Sequence, residues 1–478
     1  MTETSTRATL LDRLHTLLGD KGLTTEGVAI EPWLTDWRGR YHGATFAMVS
    51  PANAHELAEV VKIAAKLGIA IVPQGGNSGM VGGATPDASG TALLLSTRRM
   101  NAIRTIDPQS RTVVAEAGVI LETLHDAVAE HGMRFPLTLG GKGSATVGGL
   151  VSTNAGGTQV LRHGTMRTLV EGIEAVLPDG SLYQGLVTLK KDNRGYDLKH
   201  LLIGAEGTLG IVTAATLKLV PALIDRVVVW AGVESPHAAR ELLLFMEAEA
   251  GREMEGFEIL PQRCLDHVVR HIPGTRAPLA SPHPWHVLIE LARDAASAPQ
   301  PAHRAEALME QALDRGLIAD AAISTSESQA EAFWKLRDSI SEAERAEGAA
   351  VQHDISVPVT DMARFIIEAG ETVEARFPGT RVAAFGHLGD GNVHFHVAAP
   401  EGADRSAWPE CPGKQISAFV HDLVVAAGGS ISAEHGIGQM KRDELARLSD
   451  PARMAALVAI KHALDPKGIM NPGKLVAV

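Results

Sequence analysis

Two histidines, His387 and His394, stand on either side of a Gly389-Asp390-Gly391-Asn392 turn within residues 385–397. A turn of that composition lets the chain fold back, so that both imidazoles can face one point. A third oxygen or nitrogen ligand would complete an open site for a divalent cation, and Glu434, in Ser432-Ala433-Glu434-His435-Gly436, is the natural candidate. A His/His/Glu set leaves room for substrate on the ion and suits Zn²⁺. His435 would then stand beside the metal as a base. The same residues have a plainer reading, because two histidines around a turn are also a common hydrogen-bonded structural feature. His396 is a competitor, since it follows His394 by two residues and shares its strand face.

Holding two imidazoles across a tight turn calls for a hairpin, and strands and helices alternate along the chain. Apolar runs at 69–72, 92–95, 112–115, 173–177, 211–219, 227–233 and 287–291 read as strands, with Asp179-Gly180 as a hairpin turn. Helices are expected over 54–67, over 302–313 and from 327, and Leu10, Leu11, Leu14, Leu17 and Leu18 mark another near the N-terminus. Residues 331–345 read as one amphipathic helix with Phe333, Leu336 and Ile340 as its stripe, which puts Arg337 and Ser341 on one side. An arginine so placed is ordinarily solvated or salt-bridged. The alternation fits an α+β fold.

Glycine is unusually dense between the early strands. Residues 73–83 hold five glycines in eleven positions; a second tract runs over 139–149, with Thr153-Asn154-Ala155-Gly156-Gly157 after it, and a third over 204–210. Each glycine costs backbone entropy on folding, so such density signals close approach to a ligand, and successive amides can form a nest for a pyrophosphate. Neither the dinucleotide fingerprint Gly-x-Gly-x-x-Gly nor the phosphate loop Gly-x-x-x-x-Gly-Lys-Ser/Thr is complete. Several tracts separated by strands point to one large cofactor cradled by several loops.

Composition removes other classes. A formal net charge of -12 with no Lys/Arg block excludes a nucleic-acid partner. Two distant cysteines, Cys264 and Cys411, rule out iron-sulfur clusters and cysteine zinc sites, so any metal must use nitrogen and oxygen. The N-terminus lacks the order of a secretory signal and no apolar run approaches the ~20 residues of a transmembrane helix, so a cytoplasmic protein is expected.

Seven stretches now carry a resemblance: 73–83, 140–157, Lys191-Asp192-Asn193-Arg194-Gly195-Tyr196-Asp197-Leu198, 204–211, 386–394, 432–436 and 464–472. Their types and order resemble the flavin-dependent oxidoreductases of the vanillyl-alcohol oxidase/p-cresol methylhydroxylase superfamily, and within it the D-2-hydroxy acid dehydrogenases, from about residue 37 to 474. The resemblance implies an α+β fold with a two-subdomain FAD-binding domain of the p-cresol methylhydroxylase type and an α+β substrate domain with an antiparallel sheet. The expected division is an N-terminal helical arm over 1–40, the FAD-binding domain over 41–220, the substrate and metal domain over 221–435, and a C-terminal segment over 436–478 returning to the FAD domain.

The residue roles that follow are those the resemblance implies. FAD is held by Pro73, Gln74, Gly75, Gly76, Asn77, Ser78 and Gly79, by Gly140, Gly143, Ser144 and Thr146, by Gly148, Gly149, Thr153, Asn154, Gly156 and Gly157, and by Glu206, Gly207, Gly210, Ile211 and Asn471. The first loop has no histidine or cysteine, so non-covalent flavin is expected there. Metal-dependent members use residues matching His387, His394 and Glu434, with a base matching His435. Arg337, Ser341 and Asn392 match substrate-binding positions, so the solvated reading of Arg337 gives way. Where hydroxyglutarate-oxidising members usually place a carboxylate-binding lysine, this chain has Gln352, which can hydrogen-bond a carboxylate without neutralising it. The implied reaction is oxidation of a D-2-hydroxy acid, D-2-hydroxyglutarate to 2-oxoglutarate first, with D-lactate or D-malate as the alternative. A non-catalytic flavin-binding electron-transfer subunit is the reading from another class. An external acceptor such as an electron-transfer flavoprotein or quinone takes the electrons, and a homodimer is the default assembly.

Overall fold

The structure, a computed structural model, describes residues 3–189 and 191–477. Its contacts divide the chain into two units, Met1–Gly157 with His163–Pro221 and Glu434–Val478, and Thr158–Arg162 with Ala222–Ala433.

The first unit holds a four-stranded sheet in the order Leu23–Thr24, Met48–Val49, Leu93–Ser96, Ile71–Gln74, the last three parallel. Parallel strands need a crossover, and the helix Ala54–Leu67 supplies one between Met48–Val49 and Ile71–Gln74, with Leu93–Ser96 later filling the place between them: Asn53 caps its start by accepting from Glu56 N, and Gly68 ends it in the left-handed region. Its face of Leu57, Val60, Val61 and Ala64 packs with Leu10, Leu14 and Leu18 of the helix Glu3–Gly22. A second, antiparallel sheet runs Ile103–Asp107, Thr112–Glu116, Ile211–Lys218, Val170–Val176, Leu182–Gly185. Its last two strands form the expected hairpin, where Asp179 Oδ1 accepts from Ser181 N at 2.8 Å. The C-terminal segment returns to this unit: Met470 bridges Ile71 in parallel, and Asn471 N donates to Ile71 O at 2.8 Å.

The second unit is built on a sheet ordered Asp320–Ile323, Asp225–Val233, Trp285–Arg293, Met254–Pro261, Arg381–His387, Asn392–Ala398, Ala350–Ser356, antiparallel throughout. Both faces are covered, which is why its central strands are apolar at consecutive positions and not only at alternate ones. Val227, Val229, Ala231, Phe257, Ile259, Ile355, Ala384, Val393, Phe395 and Val397 enter one core, packed by the helices Pro236–Ala250, Pro301–Asp314, Met362–Arg376 and Gly413–Ala426. Val228, Trp230, Leu260, Leu288, Ala383 and Phe385 enter the other, under the helices Gln262–His271, Glu327–Asp338 and Ile340–Glu347. Side chains alternate along a strand, so Glu258, Gln352, Asp354, His387, Asn392, His394 and His396 all lie on this second face.

One expectation is corrected. Residues 331–345 are not a single helix; Glu327–Asp338 ends at Ser339, whose ψ is -2°, and Ile340–Glu347 begins anew. The Ser339 amide turns back to the Lys335 carbonyl and closes the first helix. The apolar stripe survives the break, with Phe333, Leu336 and Ile340 in one core, but Arg337 and Ser341 belong to successive helices.

Candidate active site

In the first unit the glycine tracts meet. A β-carbon on Gly76 would lie 1.6 Å from Ser144 O, and one on Gly207 would lie 2.4 Å from Pro73 Cγ. The first tract therefore touches both the second and the third at distances only a hydrogen allows. Gln74 closes the first loop by donating from Nε2 to Trp33 O and Ala84 O, both at 3.0 Å, and Asn77 donates to Thr35 O at 2.7 Å. Asn471 Nδ2 ties Gly83 O (3.0 Å) to Glu206 O (2.7 Å). Thr153 Oγ1 donates to Gly149 O at 3.0 Å, and Asn154 Oδ1 accepts from Arg167 N at 2.9 Å. The donor groups of these side chains are spent on their own chain, and what the tracts present to a ligand is main chain, space and a few acceptor oxygens.

The residues fit FAD. Thr146 Oγ1, at the contact between the first two tracts, is buried with no hydrogen-bond partner, as is Asn471 Oδ1. A β-carbon on Gly79 or Gly140 would meet nothing within 4 Å. Unpartnered buried polar groups beside open, glycine-lined space suit a large polar cofactor.

Glu206 has a role that the motif alone did not disclose. Its buried carboxylate accepts from Ile437 N and Gly438 N, both at 2.7 Å, just past His435. Burial pushes this carboxyl up, and the two amides pull against it. Glu434 and His435 bring ligand atoms within 4.8 Å of each other.

In the second unit the hairpin forms as expected, Arg381–His387 pairing with Asn392–Ala398 and placing His387 opposite Asn392 and Phe385 opposite His394. The rings of His387 and His394 lie 5.8 Å apart, with nitrogens within 4.8 Å. Among the described residues, His396 is not grouped with the two: its ring nitrogens are not among the ligand atoms that lie within 4.8 Å of one another, and its Nδ1 is bonded to the buried Glu344 carboxylate. Asp354 is the cross-strand neighbour of His394, and Ala433 N lies 3.4 Å from Asp354 O. The chain from Ser430, which bridges Ser356, thus ends beside the histidine pair, and Glu434 is one peptide bond further on.

Three acids missed in the sequence organise this face. Glu258, wholly buried and opposite His387 in register, lies 2.5 Å from His387 Nδ1 and 2.7 Å from Arg337 Nε. Burial alone would raise its carboxyl; the charges of Arg337 and His387 outweigh it and hold it far below the usual range. Asp354 Oδ1 accepts from Asn392 Nδ2 at 3.0 Å, and Glu344 holds His396. A lone carboxylate between Phe257 and Ile259 was the available signal for Glu258.

The donor set fits a divalent cation. Burial, with Arg337 nearby, holds His394 well below the ordinary imidazole range, so the ring is neutral and offers a lone pair. Asn392 Oδ1 is buried without a partner. Among the described residues, Ser341 and Gln352 make no side-chain hydrogen bond; Gln352 lies opposite His396. The guanidinium of Arg337 sits 5.1 Å over the Phe385 ring.

A cradle of three glycine tracts followed by an antiparallel sheet with buried histidines defines a class. Residues 224–475 match the family model of FAD linked oxidases, C-terminal domain, and residues 46–185 that of the FAD binding domain; the chain belongs to this family of FAD-linked oxidoreductases. It is 36% identical over 461 residues to the mitochondrial D-2-hydroxyglutarate dehydrogenase of Arabidopsis thaliana, covering 96% of this chain and 80% of that one. It is 33% identical over 464 residues to a putative mitochondrial D-lactate dehydrogenase of Schizosaccharomyces pombe, covering 95% and 86%. The fold matches that of p-cresol methylhydroxylase with a TM-score of 0.74 at 15% identity, over 99% of this chain and 97% of that one. Among the described residues, no helix is long and apolar enough to cross a membrane.

Proposed function

We propose that the chain oxidises a D-2-hydroxy acid to the 2-oxo acid, with D-2-hydroxyglutarate as first substrate. The observation that carries the reading is the His387/His394 pair on a sheet face whose neighbouring segment leads straight into Glu434 and His435. FAD, when bound by the first unit, supplies the hydride acceptor. A divalent cation held by His387, His394 and Glu434, zinc being the ion this donor set suits, supplies the charge that makes the C2 hydroxyl more acidic. His435 takes the hydroxyl proton on a ring nitrogen. Arg337 binds a substrate carboxylate and fixes which side of C2 is presented. Ser341 and Asn392 complete the polar lining, and Asn392 Oδ1 is free to accept a hydrogen bond. Electrons leave to an external acceptor, because Cys264 is buried and Cys411 exposed, and neither belongs to a cluster set.

His435→Ala is expected to keep FAD and lose about 10²–10⁴-fold in kcat, the usual worth of a positioned base. Anaerobic bleaching of the flavin by D-2-hydroxyglutarate reads the step directly, and an unimpaired bleaching rate in the variant would remove His435 from the mechanism. A second reading, a dehydrogenase for D-lactate or D-malate, is favoured by Gln352, which leaves a distal carboxylate without the cation expected there. A panel of the three acids in the same assay separates the two readings.

A further inference from the structure

We propose that Glu258 is a positioning residue whose single carboxylate sets both the cation ligand His387 and the substrate-binding Arg337; this rests on the roles given to those two residues above. Glu258 stands on the strand Met254–Pro261, opposite His387 in register, with no solvent exposure. One oxygen, Oε1, is 2.5 Å from His387 Nδ1, and the other, Oε2, accepts from Arg337 Nε at 2.7 Å. A carboxylate oxygen this close draws the ring proton to Nδ1, which leaves the lone pair of His387 at Nε2. The guanidinium is held at its Nε edge, against the Phe385 ring 5.1 Å away. Phe385 lies in turn 5.1 Å from His394, so one carboxylate aligns the elements on both sides of the histidine pair.

The chemistry of the bridge makes it testable. A carboxylate presents an acceptor oxygen to each neighbour. A carboxamide of the same shape has one acceptor and one NH₂, so it satisfies His387 Nδ1–H or Arg337 Nε–H and opposes the other. A merely space-filling or charge-balancing residue would alter stability without choosing the nitrogen that binds metal or weakening a substrate carboxylate.

The experiment uses the FAD-loaded full chain with zinc as the probe, its dissociation constant measured by competition with a chelator. Glu258→Gln is expected to bind zinc about 10–100-fold more weakly, the range seen when a ligand's outer partner is lost. It should also raise KM for D-2-hydroxyglutarate while the flavin spectrum is retained. In the Glu258→Gln background, Arg337→Gln should add little to the KM it raises in the parent. Because the variant can fail to fold, the parent supplies a second measurement: in histidine-¹⁵N spectra assigned with His387→Asn, the zinc-loaded ring should keep its proton on Nδ1 and bind through Nε2. An unchanged zinc dissociation constant in Glu258→Gln, or bonding through Nδ1 in the parent, overturns the proposal. Zinc uptake by the parent with an unaffected variant defeats the role of Glu258 alone, whereas a parent that takes up no zinc defeats the cation reading itself and this inference with it.

Discussion

The two units prepare for their ligands with different materials. In the first, the tract side chains donate to their own chain, as Gln74, Asn77 and Asn471 do, and the recognition surface is left mainly to backbone, empty volume and a few uncharged oxygens such as Thr146 Oγ1. In the second, charged side chains are buried on a sheet face and each is matched: Glu258 with Arg337 and His387, Glu344 with His396, Glu290 with Arg226 and Trp334. A main-chain cradle is indifferent to protonation and intolerant of bulk. A lattice of buried charges tolerates small changes of shape but depends on the charge state of every member. The same distinction separates what each half would do: grip a cofactor permanently, or adjust the acidity of a group that must react.

The comparison is tested most severely at Gly76. A methyl there meets the Ser144 carbonyl at 1.6 Å and its carbon at 2.6 Å, both main-chain atoms that no rotamer change can move. Gly76→Ala is expected to yield protein without flavin, read as loss of visible absorbance after purification and FAD supplementation. A yellow, fully loaded variant would show that the first unit is not a backbone cradle. Next in size is a place where the first unit resembles the second. Lys461, buried, donates to Thr208 O (2.8 Å) and Met470 O (2.8 Å) and lies 2.5 Å from the buried Asp465. Lys461→Met leaves that carboxylate with the Ile469 and Met470 amides but no counter-charge, at a cost of about 3–5 kcal/mol. Urea unfolding measures it, and Lys461→Met/Asp465→Asn, which removes the charge and keeps an acceptor for the Ile469 and Met470 amides, should recover most of the loss; no recovery would mean the pair acts by packing and not by charge.

Much of the scaffold was legible because it follows local rules. The helix Ala54–Leu67 begins and ends where Asn53 and Gly68 require, and the strands at 211–218 and 227–233 follow their apolar runs. The hairpin of His387 and His394 was visible in its turn residues. The break at Ser339 was not, because the apolar stripe continues across it and periodicity reports burial, not continuity. Glu258 was invisible for a different reason: an acid in an apolar strand acquires meaning only when a strand far away in sequence pairs with it and brings His387, and a helix packed on that face brings Arg337. His396 likewise looked equal to His394 until the fold grouped the ligand nitrogens of His387 and His394 without it and set its Nδ1 against Glu344, on a helix. Glu206 sits in a glycine tract, yet its side chain works at Ile437 and Gly438, a contact no local pattern encodes.

The smallest effect concerns protonation, where the two units should part. His286, on the strand Trp285–Arg293, is 1% exposed; Trp230 Nε1 donates to its Nδ1 at 3.0 Å, and its Nε2 lies 2.7 Å from Gln262 Oε1. Burial, with His283 beside it, holds the imidazole down to about 4. In the unfolded chain it titrates at about 6.5. Between those values the unfolded state binds a proton that the folded state refuses, because a proton on Nδ1 would face the Trp230 N–H. The contribution of His286 is therefore fully present above pH 6.5 and falls as the pH drops towards 4, by about 1 kcal/mol per pH unit. Urea midpoints followed by circular dichroism across that window should slope in the parent and flatten in His286→Gln, whose amide still accepts from Trp230. Parallel slopes would assign the acid sensitivity of the second unit to its other buried groups and take His286 out of the account.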